Sequence, residues 1–473
     1  MKQFKKLLLL CTIMPLWSIL LFAQGPDTLW TKTYGGSNDD WGYSMQQTTD
    51  GGYIIAGACD SFDLDGDSSD VYIVKTDTNG NEIWSKTYGG QGIDKGYSVQ
   101  QTADGGYIIA GMQSGDVYAV KTYANGERQW ASTYGWDGIG KGYSVEQTTD
   151  GGYIIAGSHV SNDTGSTVLI KIDSVGDTIW KRKYGGTAWE EGRSVRQTSE
   201  GGYVVAGTKN NKMFLMRTDT LGNQVWKKIY GAQGVSGGHS VEQTTDGGYI
   251  IAGYTDLSGS GFLNDVYLVK TDSSGETLWT QAHGGQSDDI GYAVEQTTDG
   301  GYIICGYTAS FGTGVRDVYL VKTDVSGDSL WTGTYGGINK DIGYAVEQTT
   351  EGGYIIAGYT ASFGAGAGDL YLIRTKSMLG ITENNVPSKL FSFGLNSNPV
   401  KGQAIFKLQL SEDAMIHLRI YDATGRLVDT PISSRKSADS YEIPWISATS
   451  CGVYFYTFNT LDQHQIGKFV FIR

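Results

Sequence analysis

From Tyr43 to Thr48 apolar and polar side chains alternate with period 2, the pattern of a strand covered on one face. Tyr53 to Ala56 is a continuous apolar run, as expected of a strand covered on both faces. Val71 to Thr76 and Ile83 to Tyr88 complete a set of four strands, lettered A to D. Thr49-Asp50-Gly51-Gly52 lies between A and B, and Asp77-Thr78-Asn79-Gly80 between C and D; both supply the positive φ of tight hairpin turns. A therefore pairs with B, and C with D.

The set recurs. Gly-Gly-Tyr-Ile-Ile-Ala-Gly or a close variant begins at Gly51, Gly105, Gly151, Gly201, Gly247, Gly300 and Gly352, and a D-strand tryptophan stands at Trp30, Trp84, Trp130, Trp180, Trp226, Trp279 and Trp331. The step from the Gly ending D to the Gly opening the next A is seven residues throughout, whereas the B–C step is 13 from Gly57 to Asp70 and only 5 from Gly111 to Asp116. A constant D–A bridge suits a crossing between neighbouring sheets, and a variable B–C loop suits a surface excursion. Units that cannot bury their faces alone must stack on their copies. The array begins with a lone D strand, Leu29 to Tyr34, and ends with a lone C strand, Leu370 to Thr375. Pairing these halves leaves no open edge. The predicted fold is all-β: a seven-bladed β-propeller over residues 25–377, closed by the N-terminal strand on the last repeat.

Ahead of the array, Lys2, Lys5 and Lys6 precede an apolar run from Leu7 to Ala23, so residues 1–24 read as a secretory signal peptide, with a retained membrane anchor as the alternative. No later segment is apolar and long enough to cross a bilayer. The chain has 50 Asp and Glu against 36 Lys and Arg, a net charge of −14. That balance repels phosphate backbones and argues against a nucleic-acid partner. Of the four cysteines Cys11 falls in the leader, and the three left, Cys59, Cys305 and Cys451, odd in number and sparse, form no disulfide framework.

Asp77 to Trp84 has the form Asp-x-x-Gly-x-x-x-Trp, which loosely resembles the docking repeat of quinone-type propellers; the whole unit is similar to propeller repeats of bacterial and archaeal surface proteins. That resemblance implies a Trp on the outer strand. It carries no quinone site. After a linker over residues 378–398, alternation resumes in Ala404–Leu410, Ile416–Tyr421, Tyr441–Trp445, Val453–Phe458 and Lys468–Ile472, predicting an antiparallel β-sandwich over 399–473. Asn398-Pro399, Tyr421, Gly425, Gly452, Tyr454 and the strand opening at Lys468 resemble the C-terminal sorting domain of type IX secretion, found on exported proteins of Bacteroidetes-like bacteria. The resemblance implies the type IX secretion machinery as a partner and a secreted or outer-surface destination. An accessory sandwich without a sorting role is the alternative.

No metalloprotease, Walker or nucleophile-elbow motif occurs, so catalysis rests on fold analogy alone. Strand alternation puts the D–A bridges and B–C loops on one face, the expected recognition surface. The bridges carry Asp40, Asp94, Glu190, Asp289 and Asp341, either ligand contacts or turn caps, and Trp41, Trp136 and Trp189, either stacking platforms or inter-sheet packing. Asp63, Asp65, Asp67 and Asp70 form a candidate Ca²⁺ loop, with a solvated turn as the alternative. Gln46, Gln100, Glu146, Arg196, Glu242, Glu295 and Glu347 form a column in strand A, lining an axial channel or bonding between sheets. Two functions follow: a binding scaffold for a polysaccharide or surface protein, or a hydrolase or lyase of extracellular polysaccharide using carboxylates near the axis. Carboxylates of raised pKa clustered in a central pocket favour the second, and exposed aromatics on the recognition surface favour the first.

Overall fold

A computed structural model describes residues 23–62, 69–162, 164–185, 188–231, 234–256, 263–377, 391–395, 400–410, 413–422, 426–446, 451–459 and 464–472. The expected leader, residues 1–24, therefore lies almost wholly outside the described residues, as do Asn398, Pro399 and Gly425. The chain divides into two compact units, Met1–Leu379 and Gly380–Arg473. Among the described residues both are built of strands without a helix.

In the first unit each repeat folds into a four-stranded antiparallel sheet of the kind that makes propeller blades, ordered A-B-C-D. The first comprises Asp40–Gln47, Tyr53–Cys59, Asp70–Thr76 and Glu82–Tyr88, somewhat longer than the alternation suggests. B and C are buried along nearly their whole length, which explains their unbroken apolar runs. Thr28–Tyr34 pairs antiparallel with Asp369–Thr375, the C strand of the last repeat, from Thr28 opposite Thr375 to Tyr34 opposite Leu370. Ala23–Gln24 adds in parallel to the sheet of Ser329–Tyr335.

Neighbouring sheets share apolar clusters. One cluster joins Met45, Ile55 and Val74 of the first repeat to Ile355, Leu370 and Leu372 of the last. At these clusters each D-strand Trp leans on the Tyr opening the next B strand, as Trp30 does on Tyr53 with ring centroids 6.1 Å apart. The C–D turn glycine sits beneath that Trp. Gly80 has φ of 72°, and a Cβ there would lie 2.7 Å from the Trp30 ring, so both backbone and packing demand glycine. In five of the seven D strands the closing Tyr then donates its hydroxyl to the same turn, as Tyr134 does to the Gly176 carbonyl at 2.8 Å.

A second recurrent tie joins strand C to the A–B turn. The Lys121 ammonium, 2% exposed, bonds Asp104 at 2.9 Å and the Thr122 carbonyl at 2.9 Å. Its counterparts include Lys75–Asp50, Lys270–Asp246, Arg217–Glu200 and Arg374–Glu351. A buried cation is tolerable only with such partners.

The second unit has a three-stranded sheet, Phe391–Leu395, Ala404–Leu410 and Ser440–Trp445, and a five-stranded sheet containing Val400–Lys401, His464–Ile472, Gly452–Asn459, Ala414–Asp422 and Leu427–Lys436. One core draws on both: Phe406, Leu408 and Trp445 from the first, Ile416, Ile420, Tyr454 and Phe471 from the second. Its first strand, Phe391–Leu395, falls within the stretch read as linker, where Phe391, Phe393 and Leu395 alternate with small residues. Leu427–Lys436 was not expected as a strand either, because it is a mostly exposed edge and carries no apolar alternation.

Candidate functional site

The bridge carboxylates are buried. Asp40, Asp94, Glu190, Asp289 and Asp341 are each 0% exposed. Asp40 accepts from the Gly36 N–H at 2.8 Å and the Ser61 hydroxyl at 2.7 Å; Asp289 does the same with Gly285 and Ser310, and Asp341 with Gly337 and Ser362. Asp94 accepts from the N–H groups of Gly90 and Ser114. They tie the bridge to the B–C loop beside it, the behaviour of turn caps. Glu190 instead pairs with Lys227 and Lys209.

The three bridge tryptophans differ. Trp41 stacks on Tyr359 at 3.9 Å, with the Lys340 ammonium 5.0 Å from its ring. Trp136 lies under Lys181 and Lys183. Trp189 is 45% exposed and rests against Gly165, where a Cβ would come within 2.9 Å of the indole. Of the candidate Ca²⁺ loop, Asp63, Asp65 and Asp67 lie outside the described residues; Asp70 is buried beside Asp94, both against Gly89. Among the described residues no group of three or more His, Cys, Asp or Glu is placed to hold a metal ion.

The strand A column is the larger finding. Every A strand breaks register with B just after its glycine, for example between Gly42 and Ser44. Such a bulge re-aims the extra residue. In the seven repeats that residue is Tyr43, Tyr97, Tyr143, Arg193, His239, Tyr292 and Tyr344, all lining one cavity of about 430 Å³. Neighbours touch: Tyr43 lies 5.3 Å from Tyr97 and from Tyr344, Tyr97 lies 5.3 Å from Tyr143, the Arg193 guanidinium covers Tyr143 at 4.3 Å, and His239 stacks on Tyr292 at 4.8 Å. Burial and the Arg193 charge hold the His239 imidazole down at about 3, so it is neutral, and it bonds the Gly291 carbonyl at 3.0 Å. The ring was not singled out from the sequence, although seven bulky polar or aromatic residues follow seven equivalent glycines.

Three residues further along, the Gln/Glu column latches sheet to sheet, and four of its members, Arg196, Glu242, Glu295 and Glu347, also line the same cavity. Gln46 accepts the N–H of Gln101 at 2.6 Å, Glu146 that of Gln197 at 2.6 Å, Glu295 that of Gln348 at 2.6 Å, and Glu347 that of Gln47, in the first repeat, at 2.7 Å. Arg196 breaks the series. A guanidinium has no acceptor for the next strand, and it donates instead to the Val195 carbonyl. Its charge counteracts the burial that raises Glu146 and Glu242. Glu295 is pushed to about 8 by burial, with Glu242 and Glu347 adding to it, and Glu347 to about 7 by burial with Glu242 adding.

Residues 397–473 match the secretion system C-terminal sorting domain. The chain is thus handled by the type IX secretion machinery and is secreted or held at the outer cell surface. Over 219 residues it is 24% identical to the regulatory protein FlaEY of Caulobacter vibrioides, a match spanning 40% of this chain and only 22% of that protein. Sqt1 from Chaetomium thermophilum aligns over 75% of this chain and 100% of its own, at 12% identity and TM-score 0.45. Plexin A of Drosophila, solved with Semaphorin 1b, aligns over 74% and 87%, at 8% identity and TM-score 0.42.

Proposed function

We propose that residues 25–377 close as a seven-bladed β-propeller, displayed by the sorting tail, whose bridges and B–C loops bind a polysaccharide or a protein outside the cell. The strand pairing of Thr28–Tyr34 with Asp369–Thr375, the shared cluster of first and last repeats and the Gln47–Glu347 latch all support closure. The Trp-to-Tyr docking between sheets supports the likeness to docking-repeat propellers. A rigid frame of this kind is a good base for loop-borne recognition.

The observation that carries the binding role is an arc of exposed aromatic side chains on B–C loops. Phe62, Phe311 and Phe363 are 48%, 44% and 46% exposed, in the first, sixth and seventh repeats. Each is backed by a tyrosine of its own C strand, Tyr72, Tyr319 or Tyr371. Phe311 and Phe363 line a cleft of about 680 Å³. Exposed flat rings held in place suit sugar or peptide stacking. Glycan-array and surface-protein screening of the chain without its leader tests the reading. Binding that survives Phe311→Ala and Phe363→Ala together would remove its support.

The axial carboxylates keep the second reading alive. Glu242, Glu295 and Glu347 share one cavity and have raised pKa values, the arrangement a polysaccharide hydrolase or lyase needs. Against it, each spends one oxygen on a neighbouring N–H. Release of reducing ends from extracellular polysaccharides, abolished in Glu295→Gln/Glu347→Gln, would establish it; absence of turnover across a broad panel would dismiss it.

A further inference from the structure

Charge is unevenly spread around the repeats. Residues 128–228 carry thirteen Lys and Arg against ten Asp and Glu, whereas residues 229–377 carry six against seventeen. Within the basic sector one junction, between the second and third sheets, is rebuilt. Trp136 stands where five of the other six bridges have a second glycine, as at Gly36, Gly90 and Gly285, and Gly140 stands where five of them have the buried carboxylate. The third D strand, Thr178–Tyr184, carries Lys181 and Lys183 one and three residues after its Trp; no other D strand has lysine at both places.

The two lysines converge on one indole. The Lys181 Nζ is 4.5 Å and the Lys183 Nζ 5.2 Å from the Trp136 ring centroid. Lys181 donates to the Gly135 carbonyl at 3.0 Å. Lys183 donates to Nδ1 of His159 at 3.1 Å, and His159, 3% exposed, donates from Nε2 to the Asp137 carbonyl at 2.7 Å. The imidazole is thereby held neutral, as its depressed pKa, due to burial and to the Lys183 charge, also requires. The Asp137 side chain is exposed, and among the described residues neither lysine has a carboxylate in ion-pair range. In the next repeat the contrast is plain, because Lys227 at the Lys181 position is neutralised by Glu190. Each ammonium has three donors and spends one here, so two like charges stand together with N–H groups to spare.

We propose that this junction is an anion subsite, in which Lys181 and Lys183 bind the carboxylate or sulfate group of an acidic polysaccharide whose sugar ring packs against Trp136. The proposal rests on the bridges and loops being the recognition surface, and it names the ligand class there. An aromatic face beside paired ammonium groups suits a charged sugar better than a bare ion, which makes no use of the indole.

The test is affinity electrophoresis of the leaderless chain in gels containing dextran sulfate, polygalacturonate or neutral dextran, repeated with Lys181→Gln/Lys183→Gln and with the control Lys86→Gln, all checked for native near-ultraviolet circular dichroism. The expected result is retardation by at least one acidic polysaccharide, about tenfold weaker in the double variant, unchanged in the control, and weakened by salt. Equal retardation of double variant and parent overturns the subsite while leaving the recognition surface intact. Retardation by neutral dextran alone does the same. Retardation by none of the three, equal retardation by poly-glutamate, or displacement by inorganic sulfate at the polymer's own sulfate concentration also overturns it. Trp136→Ala weakening both acidic polymers, with inorganic sulfate binding unchanged, supports the packed sugar ring.

Discussion

Glu295→Gln is a replacement the protein already makes elsewhere, because Gln46 and Gln100 occupy the same column and accept the same inter-sheet N–H. The variant keeps the latch and removes only the charge. In the folded chain the Glu295 carboxyl sits at about 8 instead of its ordinary 4.5, first because it is buried and then because Glu242 and Glu347 are close. Between roughly pH 5 and pH 8 the folded state therefore holds a proton that the unfolded state has released. Stability is highest at the acid end of that window and falls as pH rises through it. At about 1.4 kcal/mol per unit, discounted for the partial solvation of the side chain, the penalty at pH 8 is ~2 kcal/mol. Thermal unfolding followed by tryptophan fluorescence should show the variant melting about 3 °C above the parent at pH 8 and level with it at pH 5. An equal gain at both pH values, or a loss at both, would refute the reasoning, since either would mean that the latch and not the charge was altered.

Arg196→Gln supplies the missing acceptor but withdraws the cation that offsets Glu146 and Glu242; its melting temperature should match or exceed the parent's at pH 5 and fall below it at pH 8. Lys121→Met should cost about 1–3 kcal/mol in chemical denaturation. Its acid limb should flatten too, because Asp104, held near 2 by its bonds to Thr102 and Lys121 against the pull of burial, contributes stability that is present above its unfolded pKa and lost as pH falls toward 2. Gly80→Ala forces a side chain into positive φ and into Trp30, and a loss of about 1–3 kcal/mol is expected by the same assay. Deleting residues 397–473 should retain the protein inside the cell envelope, read by immunoblotting of culture medium and surface fractions.

Strands A to D were legible because burial on one face or two leaves a period that survives in a single sequence. The column of Gln and Glu was visible, but its double use was not, since whether a side chain lines a channel or bonds across it depends on the approach of a neighbouring sheet. The bulge after each A-strand glycine cannot be read from alternation, and with it the aromatic ring stayed hidden. The tie between strand C and the A–B turn left a stronger trace. The repeats with Lys in strand C, at 75, 121, 171, 270 and 322, have Asp in the turn, and the two with Arg, at 217 and 374, have Glu. Such matched lengths within one chain identify contacting partners. The sequence could not separate the two readings of the bridge acids, because an Asp four residues after a bridge glycine satisfies that backbone donor, as Asp40 does for Gly36, whether or not a ligand exists. Phe391–Leu395 was passed over because Asn, Ser and Pro nearby suggested a tether.

Synthesis runs from the N-terminus, so Thr28–Tyr34 exists long before the strand it pairs with, Asp369–Thr375, has been made. Until then the nascent chain carries an unpaired edge that can pair with other copies of itself. The address for the cell surface comes later still, at residues 397–473. A product that stops before Asp369 lacks both the partner of its first strand and that address, so incomplete pairing and loss of delivery go together.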